Sequence, residues 1–85
     1  MKVWVVWERT RDELDWDDDF TIYETKEKAM EYLKERNKVL FRNYDVEYWR
    51  EREPEDTYYK EDEFGVEYND NGGGYSLGLH EMEVL

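Results

Sequence analysis

The spacing of apolar residues changes between residues 20 and 33. From Phe20 to Tyr23, β-branched and aromatic side chains alternate at period two, which predicts a strand. Thr25 follows as a helix N-cap, because its hydroxyl can accept a hydrogen bond from a first-turn amide. The next apolar residues recur on one helical stripe: Ala29, Met30, Leu33, Leu40 and Phe41. This stretch therefore predicts a strand that leads directly into a helix beginning at Thr25 or Lys26.

The end of this helix is open to two interpretations. Asn37 could terminate it, since asparagine tolerates the left-handed backbone of a helix end. However, Leu40, Phe41 and Tyr44 continue the stripe of Leu33. That continuation favours a helix running to about Arg42, with Asn43 as the stop.

Two strands are predicted before the helix. Met1 to Glu8 is apolar on both faces, which indicates a central strand covered on both sides, or one with a face left for a partner. Arg9 to Asp19 is predicted to be the hairpin connection. The second strand is expected at about Asp19 to Glu24, antiparallel to the first.

Strands and turns are also predicted after the helix. Asp45 to Glu51 has the alternation of a third strand, and the residues from Glu53 to Asp56 form a turn around Pro54. Thr57 to Tyr59 opens a short strand. Phe64 to Tyr68 is either another strand or its continuation past a bulge at Gly65.

The C-terminal segment predicts a turn followed by the last strand. Asn69 to Gly74 is rich in residues that tolerate positive φ. Tyr75 to Leu85 reads as a strand in which the apolar residues change parity after Leu79. That change predicts a bulge near His80.

These elements predict one α+β domain over residues 1–85. Its antiparallel sheet has four to five strands, with one main helix packed on one face, in the order β-β-α-β-β-β. The chain has no cysteine, and 18% of it is aromatic, so packing of aromatic side chains must stabilise it. No run approaches the roughly 20 apolar residues of a membrane span, and we expect a cytoplasmic protein.

Charge is the unusual feature of the composition. Twenty-four acidic and twelve basic residues give a net charge of −12, which repels nucleic acid and anionic membranes. Residues 12–19 hold six acids and no base, and residues 64–85 hold four acids and no base. Residues 51–63 hold seven acids against two bases, whereas residues 24–42 are net basic. The partners expected from this distribution are proteins with basic surfaces, not nucleic acid or membranes.

The motifs that could carry chemistry are incomplete. The acids of Asp15 to Asp19 resemble the opening of a calcium loop, but its sixth and twelfth positions are Phe20 and Lys26. His80 is the single histidine and has no nucleophile pattern beside it. Gly72 to Gly74 lacks the lysine and the helix of a phosphate-binding loop. We therefore predict no catalytic residue, no metal site and no cofactor, and we expect a protein that is not an enzyme.

The first forty residues carry a resemblance. The strand Lys2-Val3-Trp4-Val5-Val6, an acidic hairpin and the helix start Thr25-Lys26-Glu27-Lys28-Ala29 resemble a group of small uncharacterised proteins of bacteria and their phages. The resemblance implies the fold and a phage or mobile-element context. It implies no active site.

Acidic residues recur at every second position in the predicted strands and hairpin. In a strand, such neighbours share a face and lie roughly 6.6 Å apart, close to two nucleotide steps of DNA. Tyrosines beside them could serve as interface anchors. The predicted partner-binding residues are Asp12, Glu13, Asp15, Asp17, Asp18, Asp19, Glu51, Glu53, Glu55, Asp56, Tyr58, Tyr59, Glu61, Asp62, Glu63 and Glu67.

Three interpretations of function follow. The leading one is a phage or mobile-element inhibitor of the antirestriction or anti-CRISPR type, which mimics nucleic acid and blocks a basic groove of a host protein. The alternative is a structural or regulatory interaction module, monomeric or homodimeric, that binds through an aromatic sheet face around Trp4, Trp7 and Trp49. The third is an enzyme, which would need a concave pocket that holds a carboxylate of raised pKa. Alternatively, the acidity serves only solubility.

Overall fold

The computed structural model describes residues 1–12 and 14–84 as a five-stranded antiparallel sheet and two helices. The elements are β1 (Lys2–Arg11), β2 (Trp16–Tyr23), α1 (Lys26–Asn43), α2 (Val46–Arg52), β3 (Tyr58–Asp62), β4 (Gly65–Asn69) and β5 (Gly74–Glu83). The strands lie in the order β2-β1-β5-β4-β3. The α+β class, the antiparallel sheet and the main helix on one face are confirmed.

Helix α1 begins and ends close to where the pattern predicted. The Thr25 hydroxyl accepts from the backbone N–H of Lys28 at 3.3 Å, and Glu27 lies in the positive first turn. The helix continues through Asn37 to Asn43, so the longer of the two interpretations is confirmed. Its buried stripe consists of Ala29, Leu33, Asn37 and Leu40.

The core lies between α1 and one face of the sheet, here called the helix face. Strand β5 is in the middle of the sheet and contributes three buried side chains, while β1 and β4 pair with it on either side. The buried sheet residues of this core are Val6, Val66, Tyr68, Tyr75, Leu77 and Leu79. Val46 of α2 is fully buried in the same cluster. Alternation along each strand places every second residue on the helix face and the residues between them on the opposite face.

The predicted third strand at Asp45 to Glu51 is wrong, because these residues form the break before α2 and most of that helix. Asp45 has a φ of 52°, a left-handed conformation that ends α1 and redirects the chain. Only Val46 of α2 is buried, so this short helix packs through one residue rather than through an alternating face. An acid in its first turn and two arginines in its last turn suit the helix dipole.

The first hairpin is longer than predicted. Residues 9–11 belong to β1, and β2 begins at Trp16 rather than at Asp19. Only residues 12–15 connect the two strands. Aspartates are unfavourable in strands, but β2 is an edge strand whose side chains reach solvent on both faces.

Neither predicted bulge is present. Strands β1 and β5 pair without interruption from Lys2 opposite Glu83 to Arg11 opposite Gly74. Gly65 begins β4 after a two-residue turn from β3. The change of parity along β5 arises because Leu79 faces the core, whereas Met82 lies on the opposite, uncovered face and is half exposed.

One polar residue in the buried stripe links α1 to two strands. The Tyr75 hydroxyl donates to Asn37 Oδ1 at 2.8 Å, and Asn37 Nδ2 donates to the Tyr59 hydroxyl at 3.2 Å. The Tyr59 hydroxyl in turn donates to Glu61 Oε2 at 3.0 Å. Each side chain in this series of hydrogen bonds has a partner, so its buried polar atoms are satisfied.

We expect Asn37→Leu to lower the free energy of unfolding by about 2 kcal/mol, because it leaves the buried Tyr75 hydroxyl without a partner. Tyr75→Phe should also destabilise the protein. The double variant should lose less than the sum of the two single losses, since it removes both partners. Urea denaturation measures all four proteins, with the half-exposed Tyr58→Phe as a control. Additive losses would show that the bond does not couple the two residues.

Candidate protein-binding surfaces

The aspartates of the first hairpin lie on both sides of β2. Asp17 and Asp19 pair with Thr10 and Glu8 and lie on the helix face. Asp18 is on the opposite face, where Arg9 Nε donates to its Oδ1 at 2.6 Å. That hydrogen bond lowers the pKa of the Asp18 carboxyl. Asp12 and Asp15 lie in the connection, and the predicted Glu13 is outside the described residues.

The acids from Glu51 to Asp56 do not form a strand ladder. Glu51 is in the last turn of α2 and Glu53 is its C-cap. Residues on a helix at that spacing point in different directions, so they cannot share a face as they would in a strand. Glu55 and Asp56 follow in the exposed turn that leads to β3.

The acids of β3 and β4 have partners inside the chain. The Asp62 carboxylate accepts from the backbone N–H of Phe64 and so shapes the β3–β4 turn. Glu63 pairs with Lys26 at 3.5 Å, and Glu67 accepts from Asn69 Nδ2 at 3.2 Å. Glu61 accepts from Tyr59, as described above. These carboxylates support local structure. They are less available to a partner than carboxylates without a hydrogen bond or ion pair inside the chain would be.

The two predicted tyrosine anchors have different positions. Tyr58 is half exposed on the face opposite α1. Tyr59 lies on the helix face, where Phe41 contacts its ring edge-to-face and the Arg50 guanidinium lies 5.0 Å from its centroid. Of the two, only Tyr58 presents a large surface to a partner.

Four acids from four separate connections meet at one end of the sheet. Because the strands are antiparallel, the β1–β2 and β4–β5 connections share this end with the junction of α1 and α2. They surround a concave region of about 420 Å³. Among residues 1–12 and 14–84, its lining includes Tyr44 and Trp49 but no lysine or arginine. Its acidic residues, here called the acidic end, are Asp12, Asp45, Glu53 and Asp70.

The loops of the acidic end are held by hydrogen bonds. Asp70 Oδ1 accepts from the backbone N–H groups of Gly72 and Gly73, at 2.7 and 2.8 Å. The Tyr68 hydroxyl donates to Asp70 Oδ2 at 2.5 Å. Arg11 donates to the Gly73 carbonyl at 3.5 Å, which joins the two hairpin connections. Asp70 is therefore a positioning residue, while Asp12, Asp45 and Glu53 remain exposed on the rim.

The negative charge of this end affects the tyrosines behind it. Burial raises the pKa of Tyr68, and the hydrogen bond to Asp70 raises it further. Burial also raises the pKa of Tyr44, and the negative charge of Asp12 raises it further. Both phenols therefore stay neutral at physiological pH.

The acidic residues do not form a metal site in the part of the chain that the structure describes. Among residues 1–12 and 14–84, no three histidine, aspartate or glutamate side chains converge closely enough to hold an ion. Trp16 to Asp19 are strand residues on alternating faces, so they cannot form a calcium loop. Within the same ranges, neither helix has the length and apolarity to cross a membrane.

The face of the sheet opposite α1 forms a second surface, here called the open face. No helix in the described ranges packs on it. Its apolar part combines Val5 and Trp7 with four residues that are more than half exposed: Trp16, Phe20, Ile22 and Met82. Exposed apolar residues gathered on one face indicate an interaction surface more strongly than the same residues scattered singly.

A shallow trough runs beside Trp7 on the open face. The Trp7 indole covers Gly78, where an added Cβ would lie 2.2 Å from the ring. His80 stacks on the indole with ring centroids 6.3 Å apart. Gly65 is opposite Gly78 on the next strand, and Phe64 lines the same trough of about 420 Å³. Because Trp7 covers Gly78, the depression in this face lies at Gly65.

The predicted aromatic face around Trp4, Trp7 and Trp49 is wrong in its membership. Trp4 packs against the core on the helix face, with Lys26 Nζ 5.5 Å from its ring. Trp49 lies on α2 beside the acidic end. Only Trp7 belongs to the open face, and its neighbours there come from β2 and β5.

Comparison with known proteins identifies no relative, since no protein-family model, no curated protein and no solved structure matches the chain. The geometry of the two surfaces therefore carries the functional interpretation.

Two groups of surface residues were missed by reasoning from the sequence. Asp45 and Asp70 were not among the predicted binding residues, because each lies in a short connection outside the acidic runs. An aspartate just after a helical stripe was the available signal for the first. The open face was missed because Trp16 was assigned to a connection rather than to a strand.

Proposed function

We propose that this protein is a non-enzymatic binding protein whose acidic end occupies a basic groove of a nucleic-acid-binding protein. The observation that supports the proposal is the concave region, which the described residues line with four carboxylates and with no lysine or arginine. A lysine or arginine side chain of the partner would enter it between carboxylates and the faces of two aromatic rings. Aromatic faces and carboxylates both attract such cations.

The wider charge of the chain favours this class of partner. A net charge of −12 accelerates encounter with a basic surface and disfavours contact with nucleic acid itself. Occupation of the groove would exclude the nucleic acid from it. This is how an inhibitor of phage or mobile-element origin, of the antirestriction or anti-CRISPR type, would act.

Only some of the predicted partner-binding residues belong to the proposed site. Asp12 and Glu53 lie on the rim of the acidic end, and Asp15, Glu55 and Asp56 lie in connections at the same end of the sheet. Asp17 and Asp19 lie outside the acidic end. They form a pair of carboxylates on one face of the edge strand β2. A continuous phosphate-like ladder is not part of the proposal.

Competition against DNA tests the proposal directly. A panel of basic nucleases and DNA-binding domains is loaded with a fluorescent duplex, and the wild-type protein should displace the duplex from at least one of them. A triple variant with Asp12→Asn, Asp45→Asn and Glu53→Gln should bind the partner more weakly. The concentration of this variant that displaces half of the duplex should be about tenfold or more above that of wild type. Asparagine at position 45 keeps a residue that tolerates the left-handed backbone.

A matched variant separates the acidic end from net charge. Asp17→Asn, Asp19→Asn and Glu83→Gln also remove three negative charges, but from strands β2 and β5. This variant should compete almost as well as wild type, and displacement should weaken as salt rises. Equal losses from both variants would refute a local site, and a loss only from the second would move the site to the pair of carboxylates on β2.

A further inference from the structure

The open face has no net charge, although the chain carries −12. Its strand residues include three bases, Arg9, Arg11 and Lys60, and three acids, Asp18, Asp62 and Glu67. Two highly acidic molecules repel each other wherever their acidic surfaces meet. The open face is where that repulsion is smallest and where exposed apolar area is concentrated.

The charges of the open face form a row across all five strands. In sheet order the row reads Lys60, Glu67, Ser76, Arg9 and Asp18, each residue paired in register with the next. The signs are positive, negative, neutral, positive and negative. Reversing the order of the row reverses every sign, so the row is complementary to its own rotated copy.

We propose that two copies of this chain associate through their open faces, about a two-fold axis that runs along β5 over Ser76. This rotation places Lys60 opposite Asp18 of the other copy, and Glu67 opposite the other copy's Arg9. Strands of the two sheets are then roughly aligned, as in face-to-face sheet packing. The contact is isologous, as two-fold interfaces are.

The same rotation places the Trp7 ring over a gap between side chains of the other copy. Strand β1 of one copy lies over β4 of the other, so Trp7 meets the trough at Gly65. Val5 lies two residues from Trp7 along β1, and its row leads to the β3–β4 turn of the other copy, which contains the exposed Phe64. A partly exposed aromatic ring over a glycine that has no side chain allows the close approach that an interface centre needs.

A second copy suits this face better than a basic partner does. A basic protein would gain nothing from a face with equal numbers of cations and anions, and Arg9, Arg11 and Lys60 would repel it. The acidic end lies at the ends of the strands, outside the proposed contact. The dimer would therefore leave two acidic ends available, and this inference stands whether or not the proposed function does.

Sedimentation velocity of the full chain at several concentrations tests the proposal. Wild type should form a dimer that persists at high salt, because apolar contacts dominate it. Arg9→Glu alone and Glu67→Arg alone should each raise the dimer dissociation constant by about tenfold or more, since each sets like charges opposite one another. An equimolar mixture of these two variants should recover a heterodimer, in which both pairs are again opposite in sign.

Two further variants test whether the dimer forms through the open face. Ile22→Glu adds a charge to the apolar part of the open face and should weaken the dimer, while circular dichroism should show an intact fold. Tyr48→Glu makes the same kind of change at a half-exposed residue of α2 and should leave the dimer unchanged. A monomeric wild type, or a mixture that stays monomeric while both single variants are folded, would overturn the proposal.

Discussion

Leu77→Ala is expected to lower the free energy of unfolding by about 3 kcal/mol, by removing buried methyl groups and leaving a cavity. Leu77 is 2% exposed and lies in β5, the middle strand of the sheet. It belongs to the one cluster that holds α1, α2 and three strands together. Since domains of this size are stable by only about 5–10 kcal/mol, the loss is a large fraction of the total.

Leu14→Ala provides the matched control, because Leu14 is 95% exposed in the β1–β2 connection. The same chemical change there should alter stability by less than about 0.5 kcal/mol. Urea denaturation followed by tryptophan fluorescence measures both variants at one fixed protein concentration. Similar effects at the two positions would mean that the core is not packed as described.

The period of the apolar pattern predicted the parts of the fold that bury a continuous face. Helix α1 was predicted because one stripe of its residues meets the sheet over eighteen residues. The apolar residues on both faces of β1 also predicted a central strand, and β1 pairs with β2 on one side and β5 on the other. In both cases burial extends over several turns or residue pairs, and such long patterns dominate over local propensity.

The errors lie where one residue or one partner decides the structure. Helix α2 depends on the left-handed Asp45 and the single buried Val46, and its aromatic residues otherwise favour a strand. The bulge expected near His80 assumed that apolar residues must face a core. Met82 instead faces the open side, which the pattern alone cannot distinguish from a bulge.

The candidate surfaces were only partly predictable, for a related reason. Acidic runs mark where charge is dense along the chain, but the acidic end combines single residues from four connections. Its assembly depends on the strand order, which places the β1–β2 and β4–β5 connections side by side. Similarly, the alternating charged row becomes visible only once the register of all five strands is known.

The second large effect concerns pH. Burial raises the pKa of five of the eight tyrosines above the ordinary value of about 10. The strongest cases are Tyr68 and Tyr75, which are 0% and 2% exposed. Between the ordinary and the raised values, the folded chain binds more protons than the unfolded chain. The stability linked to these phenols is therefore complete below pH 10 and is lost as the pH rises through the raised values.

We accordingly expect cooperative unfolding in alkali, with phenolate absorbance at 295 nm and loss of circular dichroism changing together. Ionised phenols would also add to a charge that is already −12, which further favours the expanded chain. Tyr75→Phe should separate the two contributions. It removes one phenol whose pKa is raised, so the free energy of unfolding should fall less steeply with pH. The free energy of unfolding at neutral pH should nevertheless be lower than that of wild type. Tyr48→Phe, at a half-exposed position, should leave the transition in place. Gradual, non-cooperative ionisation of all eight phenols in a chain that stays folded would contradict the packing of these rings.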